Sequence, residues 1–450
     1  MLTVVNPATE EPLAELERAG VEETDAAVAA AKRALPAWRA VAPADRARLL
    51  RRLATLVEEN AEELARIESR NVGKPISGAR GEVAMVAQVF HFYAGAVDKH
   101  HGSTIPVAGG EALTFHEPLG VVGLIVPWNF PLNIASWKLG PALACGNTVV
   151  LKPAELTPLS SLRLGELALE AGIPEGVVNV VSGPGSVVGQ RLAEHPDVAK
   201  IGFTGSTEVG RRVMESAAGT IKRVTLELGG KSANVVFADA DLERAAAAAP
   251  GAVFGNAGQD CCARSRILVE RSVYDRFLEL LEGATRAIVV GDPEDADTQM
   301  GPLISAEHRE KVASFVDGDG GARIRGDAPE APGFWFPCTV VEASNEDRVA
   351  REEVFGPVAA VIPFADEADA VRIANDTPYG LSGSIWTENG ARALRVARAL
   401  ESGVLSINSN TSVRVQAPFG GFKQSGFGRE LGLHALAGYS EVKNVYISTA

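Results

Sequence analysis

The chain has few cysteines and no C-x-x-C pair. Only four occur among its 450 residues: Cys145, Cys261, Cys262 and Cys338. Four cysteines are too few for a disulfide scaffold, and structural zinc sites commonly use C-x-x-C pairs. We therefore expect reduced thiols and no structural metal site.

Long apolar runs and an excess of basic residues are also missing. No run of about 18 apolar residues is free of glycine, proline or charge, so no membrane span is expected. Residues 1–7 contain neither a basic stretch nor a long apolar one, which is not the pattern of a signal peptide. The net charge is −14, which disfavours binding to nucleic acid or an anionic membrane. We expect a cytoplasmic protein whose partner is a small molecule.

The composition that remains is that of a globular protein, with 46% hydrophobic and 22% charged residues. A helical pattern covers 24–100, and apolar strands then alternate with helices. The predicted strands are 121–126, 148–151, 177–181, 200–203 and 223–228, and the predicted helices are 132–144, 158–171, 186–194 and 207–217. This alternation is typical of a parallel, doubly wound α/β sheet. Ligands bind such sheets at the carboxyl ends of the strands.

A second, less regular α/β region is predicted from about 234 to 425. Its predicted strands are 234–237, 266–269, 358–362 and 404–408, and its predicted helices are 273–289, 367–375 and 391–400. Two segments rich in Gly, Pro and Asp, 287–301 and 317–337, are predicted surface loops.

The turn after the first strand, Pro127-Trp128-Asn129-Phe130-Pro131, has one amide side chain between two stiffening prolines. A fixed Asn N–H donor can stabilise an oxyanion that develops during a reaction. An Asn in a turn also commonly bonds its own backbone, and taken alone this second interpretation is favoured.

The second and fourth strands are followed by residues that suit a dinucleotide. Lys152 and Glu155 can bind ribose hydroxyls, and the Glu155 carboxylate would repel a 2′-phosphate, which favours NAD over NADP. Gly205 and Ser206 open a helix whose free N–H groups suit a phosphate. A surface ion pair and an ordinary Ser helix cap stay open as alternatives for these residues.

Two further turns carry reactive side chains. Glu227 lies at the end of the fifth strand before two glycines, where it can be a general base or half of a salt bridge. Cys261 and Cys262 are adjacent in a polar turn, where a thiolate would be accessible as a nucleophile. Cys145 and Cys338 instead fit small buried side chains.

Taken together, these motifs resemble those of the aldehyde dehydrogenase superfamily. The matching segments occur in the family's order and are 127–131, 152–155, 203–210, 226–232, 258–265, 353–357 and 418–428. The resemblance implies a Rossmann-like, doubly wound cofactor domain, an α/β catalytic domain and a small β oligomerisation arm. It also implies NAD-preferring oxidation of an aldehyde to a carboxylic acid.

The resemblance implies a role for each matched catalytic residue. Cys261 is the nucleophile that attacks the aldehyde carbon, forming a thiohemiacetal and, after hydride transfer, a thioester. Asn129 and the backbone N–H of Cys261 hold the oxyanion, and Glu227 activates water for hydrolysis. Lys138 corresponds to a lysine with a proton-relay role or a packing role.

The implied cofactor is NAD, with NADP still open. Lys152 and Glu155 match contacts to the adenosine ribose, Ser206 a pyrophosphate contact and Glu353 a nicotinamide-ribose contact. The full set of implied cofactor residues is Trp128, Lys152, Glu155, Gly205, Ser206, Leu228, Glu353 and Phe355. The implied substrate channel is lined by Phe130, Ile134, Trp137, Asp260, Cys262, Val413, Arg414 and Phe419.

The sequence departs from the family at Asp260 and Arg264, where many relatives have neutral or small residues. Asp260 favours an aminoaldehyde and Arg414 an acidic semialdehyde, or the two charges pair with each other. The short N-terminus suggests that an initial hairpin of the family is absent.

Two alternative functions stay open at this point. One is a coenzyme-A-acylating semialdehyde dehydrogenase, against which the presence of Glu227 argues. The other is a catalytically inactive NAD-binding structural relative, against which the intact Cys261 and Asn129 argue.

The implied division of the chain has three parts. Residues 1–99 and 119–229 form the dinucleotide-binding domain, and 230–424 form the catalytic domain. Residues 100–118 and 425–450 form an oligomerisation arm and tail, and the expected assembly is a homodimer or homotetramer.

Overall fold

The structure is a computed structural model that describes residues 1–316 and 321–449. In these residues the strands are β1 Leu2–Val5, β2 Pro12–Leu16, β3 Thr104–Val107, β4 Gly110–Pro118, β5 Val121–Ile125, β6 Thr148–Lys152, β7 Val178–Val180, β8 Val198–Thr204, β9 Arg223–Glu227, β10 Ala233–Val236, β11 Arg266–Glu270, β12 Ile324–Arg325, β13 Thr339–Glu342, β14 Val358–Phe364, β15 Tyr379–Gly380, β16 Ser382–Trp386, β17 Val404–Ile407, β18 Phe422–Lys423, β19 Gly426–Phe427 and β20 Ser440–Ser448. The α-helices are α1 Val21–Arg39, α2 Pro43–Glu59, α3 Ala61–Val72, α4 Ile76–Ala96, α5 Pro131–Ala144, α6 Leu159–Glu170, α7 Gln190–Glu194, α8 Thr207–Ala218, α9 Leu242–Phe254, α10 Tyr274–Arg286, α11 Ala306–Val316, α12 Arg348–Arg351, α13 Glu367–Asn375, α14 Gly390–Ala399 and α15 His434–Ala437.

The first sheet has the strand order β19-β9-β8-β5-β6-β7, and the four pairings from β9 to β7 are parallel. Successive residues of a strand face opposite sides of a sheet, and here both sides are covered. In β5, Val122 and Leu124 pack with helices α2 to α6, whereas Val121 and Ile125 pack with α1, α7 and α8. The predicted doubly wound sheet is confirmed.

The second sheet has the order β12-β13-β14-β11-β10-β16-β17, and all its pairings are parallel except that of β12. It has its own apolar core, to which helices α9, α10, α11 and α13 contribute. Sequence analysis did not identify β13, β16 or α11. Strand β16 contains Ser382, Gly383 and Ser384, which do not form the apolar run expected of a buried strand.

A third, three-stranded sheet joins the chain end to the predicted arm. Strand β4 pairs with β3 on one side and with β20 on the other, both antiparallel. The predicted arm, 100–118, therefore contains an antiparallel hairpin that gains a third strand from the C-terminal tail. Residues 426–427, grouped with that tail in sequence analysis, instead pair antiparallel with β9 in the first sheet.

Several local expectations were different from the structure. Strands β1 and β2 pair antiparallel, so the expectation that an initial hairpin is absent was wrong. The predicted helix at 186–194 begins as a π-helical turn, Gly185–Gly189, and continues as α7. The predicted loop 317–337 lies partly outside the described residues, and its described part contains β12. The domain boundaries at 99, 119, 229 and 424 stay a prediction.

The first sheet positions the site. Its strands β9, β8, β5 and β6 are neighbours, so the turns that follow them meet at one edge. These are the turns that carry Glu227, Ser206, Asn129 and Glu155. Among the described residues, no helix combines the length and apolar character needed to cross a membrane.

Candidate active site

The turn before Cys261 has an unusual backbone. Asn256, Ala257 and Gly258 follow one another with φ of 50°, 54° and 69°, in the left-handed region that residues other than glycine seldom adopt. A methyl group on Gly258 would lie 2.0 Å from the carbonyl oxygen of Gly356. The strained turn therefore packs tightly against the segment that carries Glu353 and Phe355. Strain of this kind is concentrated at functional sites.

Gln259 fixes the cysteine turn to its surroundings. Its side chain is fully buried, and its Oε1 accepts a 2.8 Å hydrogen bond from the N–H of Ile304. Its carbonyl oxygen accepts a 2.9 Å hydrogen bond from Nδ2 of Asn129. The Asn129 amide is thereby oriented toward the turn that carries Cys261, and its second N–H is available for another acceptor, because an amide NH₂ has two donors.

Asp260, Cys261 and Cys262 bring their reactive atoms together. The carboxylate oxygen and the two thiol sulfurs lie within 4.8 Å of one another, and Asp260 Oδ1 accepts a 2.8 Å hydrogen bond from the N–H of Cys262. The hydrogen bond with Cys262, burial and the negative charges nearby raise the pKa of the Cys261 thiol well above its ordinary value. The Cys261 thiol is therefore neutral near pH 7, so its nucleophilic attack needs a base.

The end of strand β9 approaches the cysteine turn closely. A methyl group on Gly230 would lie 2.2 Å from the carbonyl oxygen of Cys261. Gly230 donates its N–H to Glu353 Oε1 over 2.9 Å. The Gly229-Gly230 pair therefore lets three segments meet: the end of β9, the cysteine turn and the segment with Glu353.

Glu227 ends β9 with a buried and unsatisfied carboxylate. Its side chain is 3% exposed, and in residues 1–316 and 321–449 neither of its carboxylate oxygens has a hydrogen-bond partner. Burial, followed by repulsion from Glu430, raises its pKa well above the ordinary value. Of the two interpretations of Glu227, a salt-bridge carboxylate was wrong, because Lys138 pairs with Glu430 instead. An unpartnered carboxylate with a raised pKa is suited to accept a proton.

Lys138 and Glu430 form a buried ion pair beside Glu227. Lys138 lies on α5 and Glu430 follows the last residues of the first sheet, and both side chains are at most 1% exposed. The two charges act on Glu227 in opposite directions, since Glu430 raises its pKa and Lys138 lowers it. Glu430 was missed in sequence analysis because it lies two residues beyond the last segment that was singled out.

The residues predicted to hold the adenosine end of NAD follow strands β6 and β8, at the same edge of the first sheet. Burial lowers the pKa of Lys152 to about 8, and its Nζ donates to the carbonyl of Pro153. Glu155 lies 3.4 Å from Arg18. Ser206 caps α8 by accepting a hydrogen bond from Val209 N–H, with Gly205 directly before it.

Leu228 does not present its side chain to this edge. It is buried, and a methyl group on Gly210 of α8 would lie 2.6 Å from its Cδ2 atom. Any contact of Leu228 with a cofactor is therefore through its backbone.

The residues predicted at the nicotinamide end form a compact aromatic group. Trp128 and Phe355 meet edge to face with ring centroids 5.3 Å apart, and His308 lies 5.4 Å from Trp128. His308 Nε2 is 2.7 Å from the carbonyl oxygen of Phe355. The backbone φ of Phe355 is 57°, in the left-handed region. Burial lowers the pKa of His308, so a neutral ring donates to this strained backbone. Glu353 is beside the group, and burial raises its pKa. A single histidine within a helix had given no signal in the sequence.

The predicted channel residues lie in one apolar cluster. Trp137 and Phe419 meet with ring centroids 5.1 Å apart, and Trp137 Nε1 donates to Asn133 Oδ1. The predicted channel residues that belong to this cluster are Phe130, Ile134, Trp137, Cys262, Val413 and Phe419.

The two predicted channel charges are not paired with each other. Arg414 is exposed and donates to the carbonyl oxygen of Val413. In the described part of the chain, no salt bridge joins Arg414 to Asp260, so the alternative in which the two charges pair does not hold. Asp260 instead has Arg264 and Lys74 as its positive neighbours.

Arg264, the second departure from the family pattern, serves the structure of the turn. It is buried and donates to the carbonyl of Cys262 and to the hydroxyls of Ser384 and Ser412. Its positive charge thereby ties the turn with Cys261 to strand β16.

A buried charged group lies behind Phe130 and was not anticipated. Lys74 Nζ is 4.7 Å from the centre of the Phe130 ring, 2.6 Å from Glu82 and 3.1 Å from Glu68. Burial raises the pKa of Glu82 to about 7, and the charge of Asp260 contributes to this rise. This side of the channel therefore carries more acidic than basic groups.

The comparisons with known proteins agree with this arrangement. The model of the Aldehyde dehydrogenase family matches residues 1–445. The chain belongs to the aldehyde dehydrogenase family. It is an aldehyde-oxidising oxidoreductase, as the resemblance of the motifs implied.

The relatives match along almost the entire aldehyde dehydrogenase chain. A betaine aldehyde dehydrogenase of Bacillus subtilis is 44% identical over 460 residues, covering 99% of this chain and 94% of that protein. Retinal dehydrogenase 2 of Gallus gallus is 45% identical over 456 residues, covering 99% and 88%.

The solved structures confirm the fold. PnpE from Pseudomonas sp. WBC-3 in complex with nicotinamide adenine dinucleotide has a TM-score of 0.98 and 48% identity, covering 99% of this chain and 94% of that one. Betaine aldehyde dehydrogenase from Staphylococcus aureus in complex with NAD+ has a TM-score of 0.97 and 39% identity, covering 99% and 91%.

Proposed function

We propose that this aldehyde dehydrogenase oxidises an aldehyde to a carboxylic acid, with Cys261 as the nucleophile and Glu227 as the base. The observation that carries the proposal is the meeting of the Cys261 turn with the Asn129 amide and the end of β9. Each of these groups supplies one function that the reaction requires. Cys261 supplies the thiol, Asn129 supplies N–H donors, and Glu227 supplies a carboxylate without a hydrogen-bond partner among the described residues.

Attack on the aldehyde begins with proton removal from a neutral thiol. Glu227 takes the thiol proton of Cys261, the sulfur bonds to the aldehyde carbon, and the carbonyl oxygen gains the negative charge. The free N–H of Asn129 and the backbone N–H of Cys261 donate to this oxygen. The aldehyde carbon becomes tetrahedral, and its hydrogen can leave as hydride.

A bound NAD would supply the acceptor for this hydride, and loss of the hydride would leave a thioester on Cys261. The residues fit such a dinucleotide, since a capped helix N-terminus at Ser206 lies between the Lys152 turn and the segment with Glu353. Ser206 and the α8 N-terminus would hold the pyrophosphate. Lys152 and Glu155 would hold one ribose and Glu353 the other, while Trp128 and Phe355 would pack beside the cofactor. The Glu155 carboxylate disfavours the 2′-phosphate of NADP.

Hydrolysis of the thioester uses Glu227 a second time. Once the thiol proton has passed to solvent, its carboxylate takes a proton from water and the hydroxide attacks the thioester carbon. The carbon–sulfur bond then breaks, the carboxylic acid leaves, and the Cys261 thiolate takes the proton back from Glu227. Lys138 acts through Glu430, because together they set the charge around Glu227. With its own base for water, the site has no need of coenzyme A as the acyl acceptor. The same intact groups argue against an inactive structural relative.

We further propose a cationic aldehyde, such as an aminoaldehyde, as the preferred substrate class. Asp260 supplies a carboxylate next to the cysteine turn, and Trp137 supplies an aromatic ring among the predicted channel residues; cations bind well at aromatic faces next to acids. Arg414, the one group that favoured an acidic semialdehyde, is exposed and bonded to its own neighbour. A betaine aldehyde dehydrogenase is among the relatives at 44% identity, which supports the same class.

A panel of cationic, neutral and anionic aldehydes, assayed for NADH formation with NAD and NADP, tests both proposals. We expect activity with NAD, loss of all activity in Cys261→Ser, and the highest kcat/KM for cationic aldehydes. Asp260→Asn removes this charge preference, whereas Glu166→Gln, an exposed acid on α6, leaves it intact. Turnover by Cys261→Ser would refute the mechanism, and an equal preference in Asp260→Asn would refute the substrate class alone.

We also propose a homodimer or homotetramer assembled through the arm. Strands β4 and β20 expose apolar side chains at Phe115, Val442, Val445, Tyr446 and Ile447. Contiguous exposed apolar surface is typical of an interface. All four cysteines are free, which suits the reducing cytoplasm as the location of this enzyme.

A further inference from the structure

The cysteine turn contains a set of metal-ligand atoms that the proposed reaction uses only in part. One carboxylate oxygen of Asp260 and the sulfurs of Cys261 and Cys262 all lie within 4.8 Å of one another. The reaction needs the sulfur of Cys261, but it gives no role to the sulfur of Cys262 and none to this carboxylate as a ligand.

The donor set has a definite chemical preference. Thiolates prefer soft and borderline cations, and zinc is held by cysteine sulfur and carboxylate oxygen in tetrahedral geometry. Three protein ligands leave the fourth position of a tetrahedron open to water. Calcium and magnesium, which require oxygen ligands, are poorly matched to two sulfurs.

The surroundings of the three ligands are favourable to a cation. The carboxylates of Glu353 and Glu227 interact electrostatically with Cys261 and Cys262, respectively. The positive neighbours are already engaged, because Lys74 lies between Glu68 and Glu82. Arg264 donates hydrogen bonds to the carbonyl of Cys262 and to two serine hydroxyls, so its donors are used in holding the turn.

We propose that Asp260, Cys261 and Cys262 form an inhibitory site for Zn²⁺ or a cation of similar chemistry. The site is not a resident metal centre, and its inhibitory effect rests on the proposed role of Cys261. Binding replaces the protons of the two thiols with zinc–sulfur bonds, so two protons leave for each Zn²⁺ bound. The lone pair of the Cys261 sulfur is then shared with the metal and cannot attack an aldehyde. Asp260, where many relatives have a neutral residue, contributes the third ligand.

The test combines direct binding with activity on the same metal-free preparation. Titration with ZnCl₂ by calorimetry, in buffers of different ionisation enthalpy, gives the stoichiometry and the protons released. Co²⁺ in place of Zn²⁺ reports sulfur ligands through thiolate-to-cobalt charge-transfer absorption. Variants Cys262→Ser and Cys262→Ala each remove one sulfur, Asp260→Asn removes the carboxylate, and Cys145→Ala removes a thiol outside the site.

We expect one Zn²⁺ per chain, about two protons released and reversible inhibition that a chelator relieves. Loss of the second sulfur weakens Zn²⁺ binding by more than about 100-fold, beyond the 10–100-fold typical of changes outside the ligand shell. Asp260→Asn weakens it less, and Cys145→Ala binds like the wild type. Equal Zn²⁺ affinity in the wild type and both Cys262 variants would overturn the proposal.

The two proposals can fail separately. Metal-free enzyme that forms NADH but binds no Zn²⁺ at this site refutes the inhibitory site alone. Enzyme that binds Zn²⁺ with sulfur ligands but oxidises no aldehyde refutes the proposed function and leaves the metal site in place.

Discussion

At the scale of single residues, the site is defined by how few partners its reactive groups have. The Asn129 amide uses one N–H to bond the carbonyl of Gln259 and keeps the other for substrate. Glu227 has no hydrogen-bond partner for either carboxylate oxygen among the described residues. Buried polar groups are normally satisfied, so the Glu227 carboxylate is left to bond a proton, a water molecule or a ligand.

Asn129 is predicted to act on the transition state. Asn129→Ala removes a donor to the oxyanion and is expected to lower kcat by about 10²–10³-fold. Asn129→Asp, which has the same size but lacks the NH₂ donor, should be as poor. Steady-state kinetics with NAD titration measures both, and a kcat within threefold of the wild type in either variant would contradict this role.

The pH dependence is predicted to follow Glu227. A base acts in its ionised form, so kcat rises with pH through the raised pKa of Glu227. Glu430→Gln removes the repulsion that raises this pKa and leaves the Lys138 charge nearby, so the rising limb shifts to lower pH. Glu430→Asp retains the charge and should shift it little. If the rising limb of the kcat–pH profile is unchanged in Glu430→Gln, a group other than Glu227 controls it.

At the scale of elements, the close approach of β9 to the cysteine turn depends on glycine. Gly230→Ala places a methyl group 2.2 Å from the Cys261 carbonyl oxygen and must displace one segment. We expect a loss of about 1–3 kcal/mol in the free energy of unfolding together with a lower kcat. Gly251→Ala, in α9, meets nothing within 4 Å and is the matched control. Equal thermal stability and kcat in the wild type and Gly230→Ala would contradict the close contact.

The same scale shows how far sequence alone could predict the structure. Continuous apolar runs such as β5 and β6 were predicted because strands buried on both faces leave that signal. Strand β16 was missed, since its buried serines bond across the sheet rather than forming an apolar run. The residues around Cys261 were found through motifs. Gln259, Glu430 and Lys74 were not, because their roles depend on partners far away along the chain.

At the scale of the whole molecule, the arm exposes apolar side chains that a single chain leaves uncovered. Strand β20 carries its exposed apolar residues in the third sheet, and none of them belongs to the proposed site, so replacing them tests assembly separately from chemistry. Val445→Asp combined with Ile447→Asp is expected to give a smaller species by light scattering after gel filtration. Leu394→Asp, an exposed apolar position on α14, should not change the mass. An unchanged mass in the double variant would show that the arm does not hold the subunits together.

The proposed reaction at Cys261 passes through a covalent acyl intermediate, and a variant can trap this intermediate. Glu227→Gln keeps the size of the side chain but removes the base that serves both the thiol and water. At a pH high enough to ionise the Cys261 thiol without this base, attack on the aldehyde proceeds, and the acyl group should stay on the sulfur because water is not activated. Denaturing mass spectrometry after mixing this variant with aldehyde and NAD measures it directly. We expect a mass increase equal to the acyl group, located on the peptide that contains Cys261, with about one NADH formed per chain. Full turnover with no adduct, or an adduct on any other residue, would contradict it.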